Sequence, residues 1–390
     1  AAIRRSRQDR PRTLLDGQKV NYTAVVFDGA NLGTPSSTYS ATLDLTPPNA
    51  ANDTVSAVEA GGTNNASAGT NPTGNVLQND SAGPSDSLSL KSVTGAGSAT
   101  AVAVNGSTSI VGSFGTLSMS ANGSYTYTVD QRNASVQALN AGSSAISDVF
   151  TYTVHDVAGL SSTATLTVAV SGANDAPVLA SMSTLGFTEN DAATSINTAI
   201  TVVDLDNPSL ASATVSITAG FESNQDVLGF VNDGTSMGNI AGSWDSATGV
   251  MSLSSSGATA TLAQWQAALR AVNYSNTSDN PTTAARTVSY VVNDGAASSN
   301  VLTSTLNATA PTDAPVLANG STLAYTENAA AEAINTAITV ADADNARLAS
   351  AAVSISGGFV AGQDVLGFVA DSASMGNIAG TWDSATGVMS

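Results

Sequence analysis

The sequence predicts an all-β chain that consists of tandem β-sandwich modules in a linear array. Its polar residues are mostly Ser, Thr and Asn, and with Val and Ile they form many short alternating stretches of the kind that pleated strands favour. The 34 glycines, with frequent Asn and Asp, supply turns between those stretches. Only 11% of the residues are charged, which leaves too little Glu and Lys for long helices. A long internal repeat predicts the modular arrangement.

The repeat has an offset of 138 residues and needs no gap. Asp175–Ala180 returns unchanged as Asp313–Ala318, and Met237–Ser252 returns as Met375–Ser390 with one change. Most of the positions between these segments are also identical. Because the second copy stops at Ser390 in the middle of the repeat, we expect it to be the N-terminal part of a truncated module.

Three related segments mark the ends of modules. Tyr22–Gly29, Tyr152–Gly159 and Tyr290–Gly295 each open a strand–turn–strand unit, which we interpret as the closing hairpin of a sandwich. The hairpin before residue 48 lacks the rest of its module and should be marginal by itself. These ends divide the chain into the C-terminal part of a truncated module (1–48), two full modules (49–173 and 174–311) and a partial module (312–390).

Further elements follow within the modules. Leu117–Ser120 and Tyr125–Val129 alternate around Asn122-Gly123, which predicts a tight hairpin. A second hairpin is predicted from Trp244 to Leu253, with Gly249 in its turn. Leu262–Val272 has apolar residues at helical spacing and predicts one short helix that covers a sandwich edge.

The motifs of residues 49–176 resemble the VCBS-type repeat of giant bacterial adhesins. They are Gly74–Asp80, Gly115–Tyr127 and Gly172–Pro177. Residues 174–311 look like the bacterial cadherin-like modules that share those chains, and they carry the predicted helix. The resemblance implies tandem Ig-like or cadherin-like sandwiches, type I secretion as in RTX adhesins, and roles in adhesion, biofilm formation or surface display.

Acidic residues recur around the module boundaries and are the candidate metal ligands. Carboxylate and amide oxygens are the groups that Ca²⁺ prefers. The resemblance implies that an ion between modules draws on the linker, on the Asp-x-Asp of the following module and on a Glu of the preceding one. The alternative is that these residues only form turns. The candidates are Asn174, Asp175, Glu189, Asp204, Asp206, Asp313, Glu327, Asp342, Asp344, Asp53, Glu59 and, in the closing hairpins, Asp156 and Asp294.

Charge and composition argue against several other classes of function. The net charge of −19 disfavours nucleic acid as a partner. Five arginines between residues 4 and 12 indicate either a nucleic-acid-binding arm or the boundary of a fragment. The absence of Cys and the single His155 leave almost nothing for nucleophilic catalysis, so we expect no enzyme. No segment is long and apolar enough to be a membrane span.

The sequence therefore predicts a non-catalytic segment of a large bacterial surface or secreted adhesin. It would act as a stalk stiffened by Ca²⁺, outside the cell or on its surface, and its neighbouring modules would be its structural partners. One alternative is a sandwich that binds glycans or other cell-surface molecules directly. Another is a spacer within a secreted hydrolase. Trp244 and Trp382 are the candidates for a sugar platform, although an alternating hairpin more often places Trp in the core.

Overall fold

A computed structural model describes residues 15–82, 87–102 and 105–390. The expectation of an all-β chain is confirmed, since 27 strands form eight sheets in the described residues and only two α-helices occur there. The arginines between residues 4 and 12 lie outside the described residues.

The N-terminal hairpin consists of β1 (Lys19–Tyr22) and β2 (Tyr39–Thr42). The strands are antiparallel, and Tyr22 lies directly opposite Tyr39. Both strands are exposed along their whole length, so this hairpin packs against no other sheet of the described chain.

The first sandwich packs a five-stranded sheet on a four-stranded sheet, with strand orders β3-β11-β10-β5-β6 and β4-β9-β8-β7. Alternate residues of β10 are buried, and Phe150 and Tyr152 lie in the core. The Asn-Gly hairpin forms as predicted between β8 and β9, and Gly123 adopts the positive φ of +85° that its turn requires. The elements are β3 (Asp53–Val58), β4 (Thr73–Asn75), β5 (Ser89–Thr94), β6 (Thr100–Ala101), β7 (Ser107–Val111), β8 (Gly115–Ser120), β9 (Ser124–Val129), α1 (Ala134–Gln137), β10 (Ile146–His155) and β11 (Ser161–Ser171).

The second sandwich has a six-stranded sheet in the order β13-β22-β21-β16-β19-β18 and a smaller sheet in the order β14-β20-β17. The predicted Trp244 hairpin forms β18 and β19. A further pair, β12 and β15, lies at the start of the unit. The strands are β12 (Val178–Ala180), β13 (Thr184–Thr188), β14 (Thr194–Ser195), β15 (Thr201–Val203), β16 (Ser212–Ala219), β17 (Asp226–Gly229), β18 (Ile240–Asp245), β19 (Val250–Ser255), β20 (Asn273–Asn276), β21 (Arg286–Asn293) and β22 (Leu302–Thr309).

The predicted helix of the second sandwich is α2 (Leu262–Ala271). It begins at a capping box, in which the Thr261 hydroxyl accepts from the Gln264 backbone N–H and the Gln264 side chain accepts from the Thr261 N–H. Trp265 is fully buried on its inner face, and the indole Nε1 donates to the carbonyl of Leu210 at 3.0 Å.

Residues 312–390 repeat the sequence of the second sandwich without its packing. They form only short strands: β23 (Val316–Ala318), β24 (Thr339–Ala341), β25 (Val353–Ser354), β26 (Trp382–Asp383) and β27 (Val388–Met389). Ile338 is 52% exposed, whereas its counterpart Ile200 is fully buried. The difference arises because the strands that would correspond to β20–β22 are not among these residues.

One feature of the strand pairing positions the acidic residues. In each sandwich an early strand runs parallel to the last strand, β3 beside β11 and β13 beside β22. The residue that follows this early strand therefore lies where the last strand leaves the module. Glu59 follows β3 and Glu189 follows β13, and both lie at the C-terminal end of their sandwich.

Candidate functional site

The first junction joins the two sandwiches and brings together carboxylates from three parts of the chain. Glu59 comes from the preceding sandwich, Asp175 from the linker and Asp206 from the loop after β15. All three side chains are at least nine-tenths buried. The Asp175 backbone N–H donates to Asp206 Oδ2 at 3.1 Å, which fixes the linker against the following sandwich.

Burial of these acids raises their pKa values. Loss of hydration raises the pKa of Glu59 to about 7, and the neighbouring Asp175 and Asp206 carboxylates add to the rise. The same two causes, burial and then the charge of Asp206, raise the pKa of Asp175 to about 6. Burial, and then the adjacent Asp206 carboxyl, raise the pKa of Asp204 to about 7. Such shifts mark a site where like charges lie close together with little water.

Two carboxylate oxygens of this junction, Asp175 Oδ2 and Asp204 Oδ2, are buried and accept no hydrogen bond from the described residues. The other Asp204 oxygen accepts from the backbone N–H groups of Asp206 and Asn207 at 3.3 and 3.0 Å. A buried carboxylate oxygen without a donor is costly unless a cation supplies the missing interaction.

The second junction repeats this arrangement with residues from the next boundary. Oxygen atoms of Glu189, Asp313 and Asp344 lie within 4.8 Å of one another and could hold a metal ion. Glu189 Oε2 is buried and accepts no hydrogen bond from any residue in the described ranges. The Asp313 N–H donates to Asp344 Oδ2, as Asp175 does to Asp206 in the first junction. Burial first, and then Asp313 and Asp344, raise the pKa of Glu189.

Asp342 and the closing-hairpin acid Asp294 support the two junctions. Asp342 Oδ1 accepts from the N–H groups of Asp344 and Asn345 at 3.0 and 2.7 Å, in the same turn that Asp204 forms. Asp294 Oδ2 accepts from the side-chain amide of Asn174 at 2.9 Å and so reaches the linker of the first junction. Asn174 also contacts the site through its side-chain oxygen, since Oδ1 accepts from the Asn207 amide at 3.4 Å.

The remaining candidates lie elsewhere. Asp53 begins β3, and its Oδ2 accepts from the Tyr152 hydroxyl at 2.8 Å at the opposite end of the strand from Glu59. Asp156 is buried in the hairpin between β10 and β11, where Oδ1 accepts from the Leu160 N–H at 2.9 Å and Oδ2 has no partner among the described residues. Glu327 is exposed.

The sequence analysis did not identify several residues that lie next to the candidate acids or form similar contacts. Gln137 donates to Glu59 Oε2 at 3.1 Å, and Gln131 accepts from the N–H of Ala60 at 3.2 Å. Asp279 lies close enough to Glu189 to raise its pKa. Asp80 accepts from the N–H of Ala51 at 2.7 Å, in the way that Asp206 accepts from Asp175. No spacing rule identifies these residues, although Asp80 belongs to the Gly74–Asp80 motif.

His155, Trp244 and Trp382 each contact neighbouring residues of their own module. His155 is half-buried, with Nε2 3.0 Å from the Ser89 hydroxyl and Nδ1 3.1 Å from the Asp156 carbonyl. Trp244 packs edge-on against Phe221, with ring centroids 6.3 Å apart, and Trp382 repeats this contact with Phe359. Among the described residues no helix has the length and apolar character needed to cross a membrane.

Comparison with solved structures finds weak likenesses to cadherin ectodomains. Human CDH23 EC21-23 is 16% identical, with a TM-score of 0.31 over 77% of this chain and 81% of that one. Mouse Cadherin-23 EC22-24 is 12% identical, with a TM-score of 0.32 over 67% of each chain. Mouse clustered PcdhgC3 EC1-3 is 13% identical, with a TM-score of 0.25 over 75% of this chain and 76% of that one. Superpositions this weak carry no conclusion about function.

The search of curated proteins finds no match. The scan against protein families matches residues 46–172 to the model described as "Bacterial cadherin-like domain". The motifs had suggested a VCBS-type repeat for that segment and a cadherin-like module for the next one. The family comparison thus likens the first sandwich, rather than the whole chain, to a bacterial cadherin-like domain.

Proposed function

We propose that this chain is a non-catalytic stalk segment of a large bacterial surface or secreted adhesin, and that Ca²⁺ held at its junctions stiffens it. The observation that carries the proposal is the cluster at the second junction, where oxygen atoms of Glu189, Asp313 and Asp344 lie within 4.8 Å of one another. The first junction supports it, because burial and then the charges of Asp175 and Asp206 raise the pKa of Glu59 there. Buried carboxylate oxygens that accept no hydrogen bond within the described part of the chain occur at both junctions and support a cation there. The modules 49–173 and 174–311, with the partial modules at residues 1–48 and 312–390, are the proposed beads of the stalk.

The donor set suits Ca²⁺ by its chemistry. It consists of oxygen atoms, and the site offers neither sulfur nor imidazole, which favours a hard cation. The ligands would be Glu59, Asp175, Asp204 and Asp206 at the first junction and Glu189, Asp313, Asp342 and Asp344 at the second. A cation would cancel the repulsion between carboxylates that otherwise opens the joint. Affinities of roughly 10⁻⁴ to 10⁻³ M would match extracellular calcium.

The test is calorimetric melting of the chain in calcium, in magnesium and in excess chelator. We expect a calcium-dependent rise in Tm that magnesium does not reproduce, because magnesium demands fewer ligands in a stricter geometry. The variant Asp206→Asn should reduce that rise, since the amide keeps the turn but loses the charge.

Asp245→Asn is the matched control. Asp245 is an exposed turn residue whose Oδ1 accepts from the Ala247 N–H at 2.9 Å, and its strand β18 lies at the opposite edge of the six-stranded sheet from β13. It should leave the calcium response unchanged. Identical melts in calcium and chelator would refute the proposal and leave the junction acids as turn formers.

Secretion and adhesion are the parts of the proposal that come from the resemblance. An extracellular location on or outside a bacterial cell is consistent with a site tuned to millimolar calcium. Type I secretion and a role in biofilm formation can be tested in the source strain by deletion of the gene and by immunodetection of the protein on cells and in the medium. Retention of the protein inside the cell would contradict this part.

A further inference from the structure

The tripeptide Asn-Gly-Ser occurs three times in the chain, starting at Asn105, Asn122 and Asn319. A glycine after asparagine leaves its backbone nitrogen unhindered, because it carries no Cβ. That nitrogen can attack the amide carbon of the asparagine side chain, which is the first step of spontaneous deamidation. Because the reacting groups are identical in the three copies, the surrounding structure decides how fast each copy reacts.

The copy at Asn122 is held in the hairpin between β8 and β9. Asn122 Oδ1 accepts from the Ser124 N–H at 3.1 Å and from the Ser124 hydroxyl at 2.7 Å, and the Asn122 carbonyl accepts from the Asn75 amide at 2.9 Å. The Gly123 N–H donates to the Ser120 carbonyl at 2.9 Å. Both reacting groups are therefore engaged in hydrogen bonds, and the hairpin has to open before they can meet.

The copy at Asn319 is held in a left-handed turn. Its φ is +63°, its side-chain amide donates to the Thr339 hydroxyl at 3.2 Å, and its carbonyl accepts from the Asn335 amide at 2.8 Å. The complete second sandwich has the same turn, in which Ser181 has a φ of +73° and its carbonyl accepts from the Asn197 amide at 2.8 Å. The turn therefore belongs to the repeat and does not result from the incomplete packing around Asn319.

The copy at Asn105 has no such restraint. It lies between β6 and β7, and both Asn105 and Gly106 are exposed. Neither the Asn105 side chain nor the Gly106 N–H forms a hydrogen bond with any residue of the described ranges. Gly106 has a φ of +94°, and outside its chain neighbours no heavy atom lies within 4 Å of the place that a Cβ would take there. The side-chain amide carbon and the Gly106 nitrogen are thus free to approach each other.

We propose that Asn105 is a site of spontaneous deamidation, a modification that goes beyond the proposed stalk function and does not depend on calcium. The Gly106 nitrogen loses its proton and bonds to Asn105 Cγ, while the Cγ–Nδ2 bond breaks and ammonia leaves. Water then opens the resulting succinimide. Opening at Cγ gives aspartate, and opening at the main-chain carbonyl gives isoaspartate, in which the main chain runs through the side chain. The net reaction consumes water, releases ammonia and involves no oxidant or reductant.

Either product adds a negative charge to an exposed turn of the first sandwich. The rate should rise with pH, because the attacking nitrogen has to lose its proton. Since the released ammonia does not return, the modified fraction grows with time. The state of Asn105 therefore records the age of the molecule.

Peptide mapping by mass spectrometry of the full folded chain, sampled over several weeks at mildly alkaline pH, tests the proposal. We expect Asn105 to lose its amide roughly tenfold faster than Asn122 and Asn319, because each of these two copies must first open locally. In concentrated urea the three rates should become similar, since the restraints are then absent. Water enriched in heavy oxygen labels the new carboxylate, and electron-transfer fragmentation separates aspartate from isoaspartate.

Substitutions at glycine identify the nucleophile. Gly106→Ala places a Cβ beside the attacking nitrogen and should slow the conversion of Asn105 several-fold. The matched control, Gly320→Ala, adds the same group at the third copy, where no heavy atom crowds it, and should leave the rate at Asn105 unchanged.

Asn105→Gln tests the electrophile without a change in the backbone. Its longer side chain would have to close a larger and less favourable ring, so the acidic product should disappear. A folded chain in which Asn105 reacts no faster than the other two copies overturns the proposal. So do differences among the three copies that persist in urea, because structure would then not be their cause.

Discussion

At the scale of single residues, the second sandwich contains one ion pair that is removed from water. Arg286 and Asp226 have fully buried side chains, and Arg286 Nη2 lies 3.2 Å from Asp226 Oδ1. The Tyr274 hydroxyl and the Asn276 amide also donate to Asp226, while the guanidinium donates to the Thr282 carbonyl. Every group has a partner, so the pair ties β17, β20 and β21 together where a lone charge would be costly.

Replacement of Asp226 by Ala should lower the free energy of unfolding of the second sandwich by about 3–5 kcal/mol, because Arg286 is left buried without its partner. The repeat supplies the control. Asp364 is the counterpart in residues 312–390, where no such arginine is present, and Asp364→Ala should change stability by about 0.5 kcal/mol or less. Urea denaturation followed by Trp fluorescence measures both. Equal losses would contradict the role of the pair.

The raised pKa values of the junction acids predict that the stability of the fold depends on pH. Calcium should reverse the direction of this dependence. Without calcium the pKa of Glu59 is about 7 and that of Asp175 about 6, above their values in an unfolded chain. The folded protein then binds more protons than the unfolded chain between about pH 4.5 and 7, so its stability falls as the pH rises through that range. Calcium needs ionised carboxylates, so in saturating calcium stability should rise over the same range.

Melting curves at several pH values, in chelator and in calcium, check this prediction. The double variant Glu59→Gln/Asp175→Asn should weaken both trends, because the junction then loses two of its three groups with raised pKa values. Tm values that rise with pH in chelator would contradict the burial of uncompensated carboxylates at the first junction.

At the scale of elements, helix α2 depends on its first turn as well as on its apolar face. It has only 10 residues, and an isolated helix of that length is marginal in water. The capping box satisfies two backbone donors that the helix leaves free, and Trp265 anchors the first turn in the core.

Thr261→Ala should therefore lower the free energy of unfolding of the second sandwich by about 1 kcal/mol. Thr261→Ser keeps the capping hydroxyl and should cost much less. Trp265→Ala should cost about 3–5 kcal/mol, because it leaves a large cavity and an unpaired Leu210 carbonyl. Chemical denaturation of the three variants measures this order, and an equal loss for Ala and Ser at position 261 would contradict the role of the cap.

Much of the element structure could be predicted from the sequence, because it depends on local signals. The Asn-Gly turn, the Trp244 hairpin and the Leu262–Val272 helix all carry their own spacing and turn residues. The combination of acids at a junction is different. Glu59 and Asp175 are far apart in sequence, and they meet because β3 runs parallel to β11. Gln137 ends the short helix α1, and Gln131 and Asp279 lie in loops, so no periodicity specifies that they reach the junctions.

At the scale of the whole molecule, the proposed ions control how freely neighbouring sandwiches move. The linker at the first junction is short, and its Asp175 and Asn174 already contact the second sandwich through Asp206 and Asp294. Repulsion among the ion-free acids opposes these hydrogen bonds. The joint should thus be loose without calcium and stiff with it.

Spin labels on opposite sides of the first junction test this prediction. The chain has no Cys, so Ser109→Cys and Ser252→Cys introduce two exposed and unique labelling sites, one in β7 and one in β19. The distribution of distances between them should be broad in chelator and narrow in calcium. With Asp206→Asn it should stay broad in calcium, and a calcium-independent width would contradict the stiffening.

The parallel pairing of an early strand with the last strand also determines how a sandwich bears force. The chain enters the first sandwich at Asp53 and leaves it after Ser171, and these two points lie at opposite ends of neighbouring strands. A pull along the stalk therefore slides β3 and β11 past each other and loads the hydrogen bonds of all six paired positions at once. β13 and β22 share this geometry over five positions. Each sandwich is built to resist tension in shear, whereas a terminal hairpin would unzip one bond at a time.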